Sequence, residues 1–276
     1  MTINCNGNLI DLSTPKVMGI LNITPNSFYD GGKYNEESEI LLQAKKMISE
    51  GATFIDIGAY SSKPKAEYVS EEKELKRIVP IVSLIQKYFP KTVISIDTFR
   101  SEVARICIEN GASIINDISA GSVDQKMMET IAKYNVPYVM MHKRGTPETM
   151  QTMTNYENIV KEMLFYFSEK VATARSFGIN DMIIDPGFGF AKTVDQNYEV
   201  LQKLELFEIL ELPLLVGVSR KSMIYNVFKC TPEEALNGTT IINTIALTKG
   251  AKILRIHDVK EAMECVTLFN KTNQFK

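Results

Sequence analysis

Eight short, β-rich apolar runs, each followed by a longer amphipathic stretch, set the narrowest limit on what this chain can fold into. The runs are KVMGILNI (16–23), TFIDIGA (53–59), TVISIDT (92–98), SIINDIS (113–119), PYVMMH (137–142), DMIIDPG (181–187), PLLVGVS (213–219) and KILRIHD (252–258). Helical patterning fills the intervals, as in EESEILLQAKKMISE (36–50), SEEKELKRIVPIVSLIQKY (70–88) and NYENIVKEMLFYFSEKVATARSF (155–177). Strict alternation specifies a parallel sheet, because parallel neighbours need a crossover helix between them. Runs this uniformly apolar fit strands covered on both faces. Eight units fit a closed (β/α)8 TIM barrel better than an open doubly wound sheet, and 276 residues suit one such domain over 1–276.

A recurrence supports the barrel. EGATFIDIG, NGASIINDI, FGINDMIIDPG and KGAKILRIHD each place a glycine (Gly51, Gly111, Gly178, Gly250) where a helix ends and the next strand begins. A helix favours glycine just past its last turn, where the backbone turns left-handed. These glycines mark the second, fourth, sixth and eighth strands. The first fifteen residues precede the first strand and are expected to form a short hairpin or cap at the barrel bottom.

Composition removes several function classes. A net charge of −2 gives no basic surface for nucleic acid or anionic membrane. The apolar runs are far shorter than a membrane span, and the polar N-terminus carries no secretory signal, so the expected location is the cytoplasm. Cys5, Cys107, Cys230 and Cys265 lie far apart without a C-x-x-C pair, so reduced buried thiols are expected.

The informative residues end the strands: Asn22, Asp56, Asp97, Asn116, His142, Asp185, Lys221 just past the seventh strand, and Arg255 with His257 on the eighth. In a barrel such tips converge on the mouth at the C-terminal face, where these enzymes place their chemistry. One isolated Asp or Asn is most simply a turn or cap residue; eight units ending this way weaken that reading. Cations gather after the seventh and eighth strands, a frequent place for phosphate in barrels, so a phosphate or diphosphate is expected there. Arg220, beside Lys221, fits a surface ion pair equally well. Asp97, Asn116 and Asp185 suit a planar, donor-rich edge such as an aminopyrimidine. A metal is the alternative, though two histidines show no metal spacing. Asn22 could offer an oxygen to Mg²⁺, which relies on substrate phosphates for most of its shell. DPGFGFAKT (185–193) lacks the spacing of a P-loop or a dinucleotide fingerprint, and no G-x-S-x-G elbow occurs. The polar loops 24–36, with Gly31-Gly32 as a hinge, and 59–70 read as candidate lids.

From about residue 16 to 266 the sequence resembles the dihydropteroate synthases. The motifs are GILNITPNSFYDGG (19–32), ISIDTFRSEVA (94–104), GASIINDIS (111–119), MMHKRGTPETMQ (140–151), IDPGFGFAK (184–192), LLVGVSRKSMI (214–224) and RIHDVKE (255–261). The resemblance implies transfer of a 7,8-dihydropterin-6-ylmethyl group from its diphosphate to the amine of 4-aminobenzoate, with Mg²⁺, in a homodimer. It implies that Asp97, Asn116, Asp185 and Lys221 hold the pterin, that Met140 and Phe190 line its pocket, and that Arg255 stacks on the ring. Ser62 also falls in the pterin diphosphate set, and His257, Asn22 and Mg²⁺ serve the diphosphate. Asp97, Asp185, Lys221, Arg255 and His257 are the implied catalytic set. Phe28, Ser62, Lys63, Pro64 and Ser222 would surround 4-aminobenzoate, where sulfonamides of similar shape would compete. One stretch departs from the family pattern G-G-E-S-T-R-P-G: here Tyr60 replaces the acid and Lys63 the arginine. Two other readings stand beside it. A corrinoid-dependent methyltetrahydrofolate methyltransferase would need no diphosphate site, and a non-catalytic pterin-binding paralogue draws support from the altered loop alone.

Overall fold

Eight parallel strands close on themselves around one core. In the computed structural model, residues 1–23, 33–60, 69–146, 149–150 and 152–275 are described. The barrel strands are β3 (Lys16–Asn22), β4 (Phe54–Gly58), β5 (Val93–Asp97), β6 (Ile114–Asp117), β7 (Tyr138–Met141), β8 (Met182–Asp185), β9 (Leu214–Val216) and β10 (Ala251–Ile256). They pair in sequence order, and β10 returns to β3 through Leu254↔Val17 and Ile256↔Gly19. Each apolar run read from the sequence holds one strand, β10 beginning one residue before its run, and the open-sheet alternative falls with the closure.

Helices cover the outside: α1 (Lys33–Ser49), α2 (Glu71–Tyr88), α3 (Ser101–Glu109), α4 (Met127–Tyr134), α5 (Ile159–Ser176), α6 (Val194–Gln202), α7 (Ser222–Phe228), α8 (Leu236–Thr248) and α9 (Val259–Asn273). Local chemistry sets their starts. Ser70 and Asn158 each accept the backbone N–H three residues on, and Thr193 with Gln196 forms a reciprocal capping box before α6. Asn158 is why α5 begins later than the periodicity from 155 suggests. Gly51, Gly111, Gly178 and Gly250 all take positive φ, between 84° and 108°.

The first residues form a separate antiparallel hairpin, β1 (Thr2–Cys5) with β2 (Asn8–Asp11), turned at Asn6-Gly7 with both φ positive. Asn6 donates to Ala112 O at 3.2 Å and Ser113 Oγ at 2.9 Å, which fastens the turn to the barrel. Ile3, Cys5 and Leu12 then meet one interior residue from each strand: Met18, Phe54, Val93, Ile114, Val139, Ile183, Leu215 and Ile253. This apolar layer is the barrel floor, and the hairpin plugs it from below. A second, larger cluster fills the space between strands and helices.

Phe54 is fully buried in that floor. Its replacement by alanine should cost about 3–5 kcal/mol of unfolding free energy. Equilibrium urea denaturation checks it, and a loss below about 1 kcal/mol would contradict a filled floor.

Candidate active site

Two residues up from the apolar floor, five of the eight strands place a polar side chain in the interior. Side chains alternate along a strand, so the positions above Phe54, Val93, Ile114, Ile183 and Ile253 are Asp56, Ser95, Asn116, Asp185 and Arg255. Arg255 organises this layer. Its Nε donates to Asp56 Oδ2 at 2.7 Å and its Nη2 to Asp97 Oδ2 at 2.8 Å. Asp56, wholly buried, also accepts from Ser95 Oγ at 2.6 Å and from Asn116 Nδ2 at 3.1 Å. Burial works against the guanidinium's charge, but Asp56 and Asp97 outweigh it and raise its pKa. Asp97 feels the reverse: burial pushes its carboxyl up to about 7, against the pull of Arg255 and with Asp56 adding to the rise.

Asp185 stands on the opposite wall at the end of β8. Its Oδ1 accepts from Gly187 N at 2.7 Å, and burial raises its pKa while Lys221 draws it back. Lys221 reaches the mouth because Arg220, at φ 54°, turns the chain between them. Arg220 points outward to Asp258 at 2.8 and 2.9 Å, the surface ion pair its sequence allowed. Lys221 Nζ donates to Phe188 O at 2.6 Å and lies 5.0 Å from the Phe190 ring centroid. Burial pushes this amine down to about 8 despite Asp185. Ser222 follows as the first residue of α7, half-buried. His257 lies past the end of β10, exposed, its Nδ1 3.0 Å from Ser219 Oγ. Asn22 is exposed at the tip of β3. A Cβ on Gly58 would sit 3.6 Å from Asn22 Oδ1 and 3.7 Å from Asp97 Oδ2, so Gly58 opens the space between them.

Asp97, Asn116, Asp185, Lys221 and Arg255 thus lie together in one mouth, with Phe190 beside Lys221. Two expectations need correction. Met140 does not line the mouth: it packs in the outer cluster between strands and helices, because Val139, its neighbour, belongs to the floor. Strand alternation gives the inward place to Met141, which pairs in register with Asp185. His142 likewise turns outward, its ring 5.0 Å from Tyr166 and 6.3 Å from Phe167. Phe28, Ser62, Lys63 and Pro64, with the Gly31-Gly32 hinge, lie outside the described residues. On either side of 61–68 stand Tyr60 and Val69, both on one cation. Arg100 donates to Val69 O at 2.7 Å, lies 5.7 Å from the Tyr60 ring, and is paired with buried Glu74.

Sequence reading missed three residues. Asp56 was visible only as a tip, and its grip on Arg255 needs the folded register. Ser219, under His257, lay in a motif without a role. Lys192, at the end of IDPGFGFAK, is 5% exposed with its nitrogen within 3.1 Å of three partners.

This arrangement has known counterparts. The model of the pterin binding enzyme family matches residues 18–257. The dihydropteroate synthase of Escherichia coli is 42% identical over 274 residues, 99% of this chain and 96% of that one. That of Bacillus subtilis is 44% identical over 89% of this chain and 84% of its own. A Yersinia pestis dihydropteroate synthase solved with a sulfonamide drug superposes with a TM-score of 0.93 at 39% identity, over 99% of this chain and all of that one. A Xanthomonas albilineans dihydropteroate synthase solved with 4-aminobenzoic acid gives 0.92 at 32% identity, over 99% and 98%. With a barrel closed in the same way and sequence identity along nearly its whole length, the chain belongs to the pterin binding enzymes and, among them, to the dihydropteroate synthases.

Proposed function

We propose that the chain transfers a 7,8-dihydropterin-6-ylmethyl group from its diphosphate to the amine of 4-aminobenzoate. The observation that carries this reading is the division of the mouth. Acceptors on Asp97, Asn116 and Asp185 suit the amino and ring N–H groups of a pterin, while Lys221 and Arg255 supply positive charge and His257 an exposed imidazole. That basic set, together with the synthase relatives, favours this reaction over corrinoid methyl transfer. The carbon–oxygen bond of the pterin-methyl diphosphate breaks with its electron pair on the leaving diphosphate. The aniline nitrogen supplies the pair for the new carbon–nitrogen bond and then loses a proton to water or the diphosphate. Carboxylates around the ring stabilise the cationic methyl centre formed on the way, and fixed charges do this without reorganising. Lys221 and Arg255 oppose the charge of the departing anion. Phe190 forms one wall for the ring, with Met141 in the place expected of Met140. On the sequence resemblance alone, Ser62 would serve the pterin diphosphate and, with Phe28, Lys63, Pro64 and Ser222, would contact 4-aminobenzoate, with which sulfonamides would compete.

Mg²⁺ suits the tip of β3. Asn22 offers one exposed amide oxygen, and no group of three or more His, Cys, Asp or Glu that could hold a metal occurs among the described residues. That poverty fits a cation that keeps water and takes most other ligands from a substrate diphosphate. Bound there, Mg²⁺ would neutralise charge on the diphosphate. A homodimer would be supported by the exposed apolar groups Val227 and Phe228 of α7 and Ile241 of α8, which a second copy could cover. No helix among the described residues is long and apolar enough to cross a membrane. A cytoplasmic location fits four free cysteines, with burial pushing Cys5 and Cys107 up to about 12.

The direct test mixes the pterin diphosphate, 4-aminobenzoate and Mg²⁺ with the protein. Dihydropteroate should form, and its absence would end this reading in favour of a binding paralogue. Asp185→Asn and Lys221→Ala should each weaken pterin diphosphate binding by about 1–3 kcal/mol, roughly 5- to 150-fold, by stranding a buried partner. Thermal melts should stay near wild type, since neither residue belongs to the floor or the outer cluster, and unchanged affinity would remove the residue from the pterin site.

The pKa shifts fix the sign of the pH response. Below about 7, Asp97 takes up a proton and loses its value as an acceptor; above about 8, Lys221 loses its charge. Affinity for 6-hydroxymethyl-7,8-dihydropterin should therefore rise toward pH 7 and decline beyond pH 8. Titration calorimetry across that range measures it, and Asp97→Asn should flatten the acid limb.

A further inference from the structure

We infer that Lys192 is a positioning residue for the pterin half of the site: its side-chain nitrogen fixes the loop between β8 and α6 that carries Phe190 and braces Asp185. The inference rests on the reading of the mouth as a pterin site and adds the part that holds one wall of it in place. Lys192 Nζ donates to Gly187 O at 3.0 Å and to Phe190 O at 3.1 Å, and lies 3.1 Å from His142 Nδ1. It therefore joins the two ends of the turn 187–190 and ties both to the end of β7. Within the turn, Phe190 N donates to Gly187 O at 3.1 Å, and Lys192 adds the tie to Phe190 O and to β7. Gly187 has φ 67°, and a Cβ there would come 2.1 Å from the carbonyl oxygen of His142, so the backbones already touch. The neighbouring groups are also engaged: Gly187 N by Asp185, Phe188 O by Lys221, Gly189 N by Asn197 at 2.7 Å and Ala191 O by Tyr156 at 3.0 Å. Removing Lys192 leaves Gly187 O, among the described residues, with the Phe190 N–H alone, at 3.1 Å, and takes this donor from Phe190 O.

A lysine suits the place for a reason beyond its length. Burial pushes its amine down to about 7, with Lys221 and Arg144 adding and Asp185 opposing. Burial also holds His142 well below the ordinary histidine range, with Lys192 and Arg144 adding, so the ring is neutral. An ammonium gives three N–H groups to two carbonyls and Nδ1. A neutral amine keeps two for the carbonyls and accepts from Nδ1–H once the ring changes tautomer. The loop stays bonded in both charge states.

The test compares wild type, Lys192→Met and Lys192→Gln. Titration calorimetry with 6-hydroxymethylpterin should show Lys192→Met binding at least tenfold more weakly and Lys192→Gln, which keeps a shorter donor, about threefold more weakly. The KM for 4-aminobenzoate should stay within twofold, a split that general loosening of the barrel would not give. Amide exchange over 187–191 should be slow in wild type and at least tenfold faster in Lys192→Gln. A folded Lys192→Met within twofold of wild-type affinity overturns the inference; if that variant does not fold, a Lys192→Gln within twofold in both affinity and exchange overturns it. A wild type that binds no pterin overturns the site reading and the positioning role together. The exchange measurement then still decides whether Lys192 holds the loop.

Discussion

A guanidinium buried between two carboxylates governs this barrel's upper half. Moving such an ion out of water carries a penalty on the order of several kcal/mol, repaid only where geometry is good and the remaining lone pairs are satisfied. Arg255 meets that condition through Asp56, 199 residues away in sequence, and Asp97, 158 away. Asp56 meets it in turn through Ser95 and Asn116. Four strands, β4, β5, β6 and β10, are thereby fixed to one another at one height. Asn116 and Asp97 are held from this network by one side-chain atom each, Nδ2 on Asp56 and Oδ2 on Arg255. The acceptor set proposed for a ligand is therefore the upper edge of an internal charge network.

The fold was legible because its signals are local. Each apolar run announces a strand, and each glycine after a helix announces a left-handed turn that the backbone does take. The hairpin was expected only from its place before the first strand; its turn at Asn6-Gly7 is set by two residues of positive φ. Side-chain direction was less legible, and Met140 shows why. Two adjacent methionines precede His142, and nothing in PYVMMH says which one faces inward. That depends on the parity of β7 relative to the floor, which is known only once Val139 is seen beside Ile114 and Ile183. A displacement of one residue moves a side chain from the mouth to the outer cluster.

The site divides along the same line. Residue types at strand tips were enough to separate an acidic set from a basic one, because the tips that face inward converge once the barrel closes. Partners were not readable. Arg220 and Lys221 are adjacent cations, and only the left-handed backbone at Arg220 sends one to Asp258 and the other into the mouth. Lys192 looked like the tail of a glycine-rich motif, and its partners lie on a neighbouring strand and inside its own loop. Tyr60, noted as a departure from the family pattern, gained meaning when its ring was found over Arg100. Here the cation meets an aromatic face 5.7 Å away.

The vertical order of the interior explains how one barrel keeps stability and chemistry apart. The change from floor to mouth takes two residues, about 6.6 Å at the rise of a parallel strand. Below that step each strand contributes an apolar group, and the hairpin seals them from water. Above it the interior carries charge that is costly to bury and is stabilised chiefly by its own partners. Were the two layers mixed, Asp56 and Arg255 would lie against aliphatic groups and could not hold their charge, while Phe54 and Ile183 would be wet. Separation lets the floor hold the barrel closed and lets the layer above keep Asp97 and Lys221 at shifted pKa values near neutrality. The unfavourable burial that shifts them is carried by packing elsewhere, and that makes the mouth a place where proton affinity can be set by position.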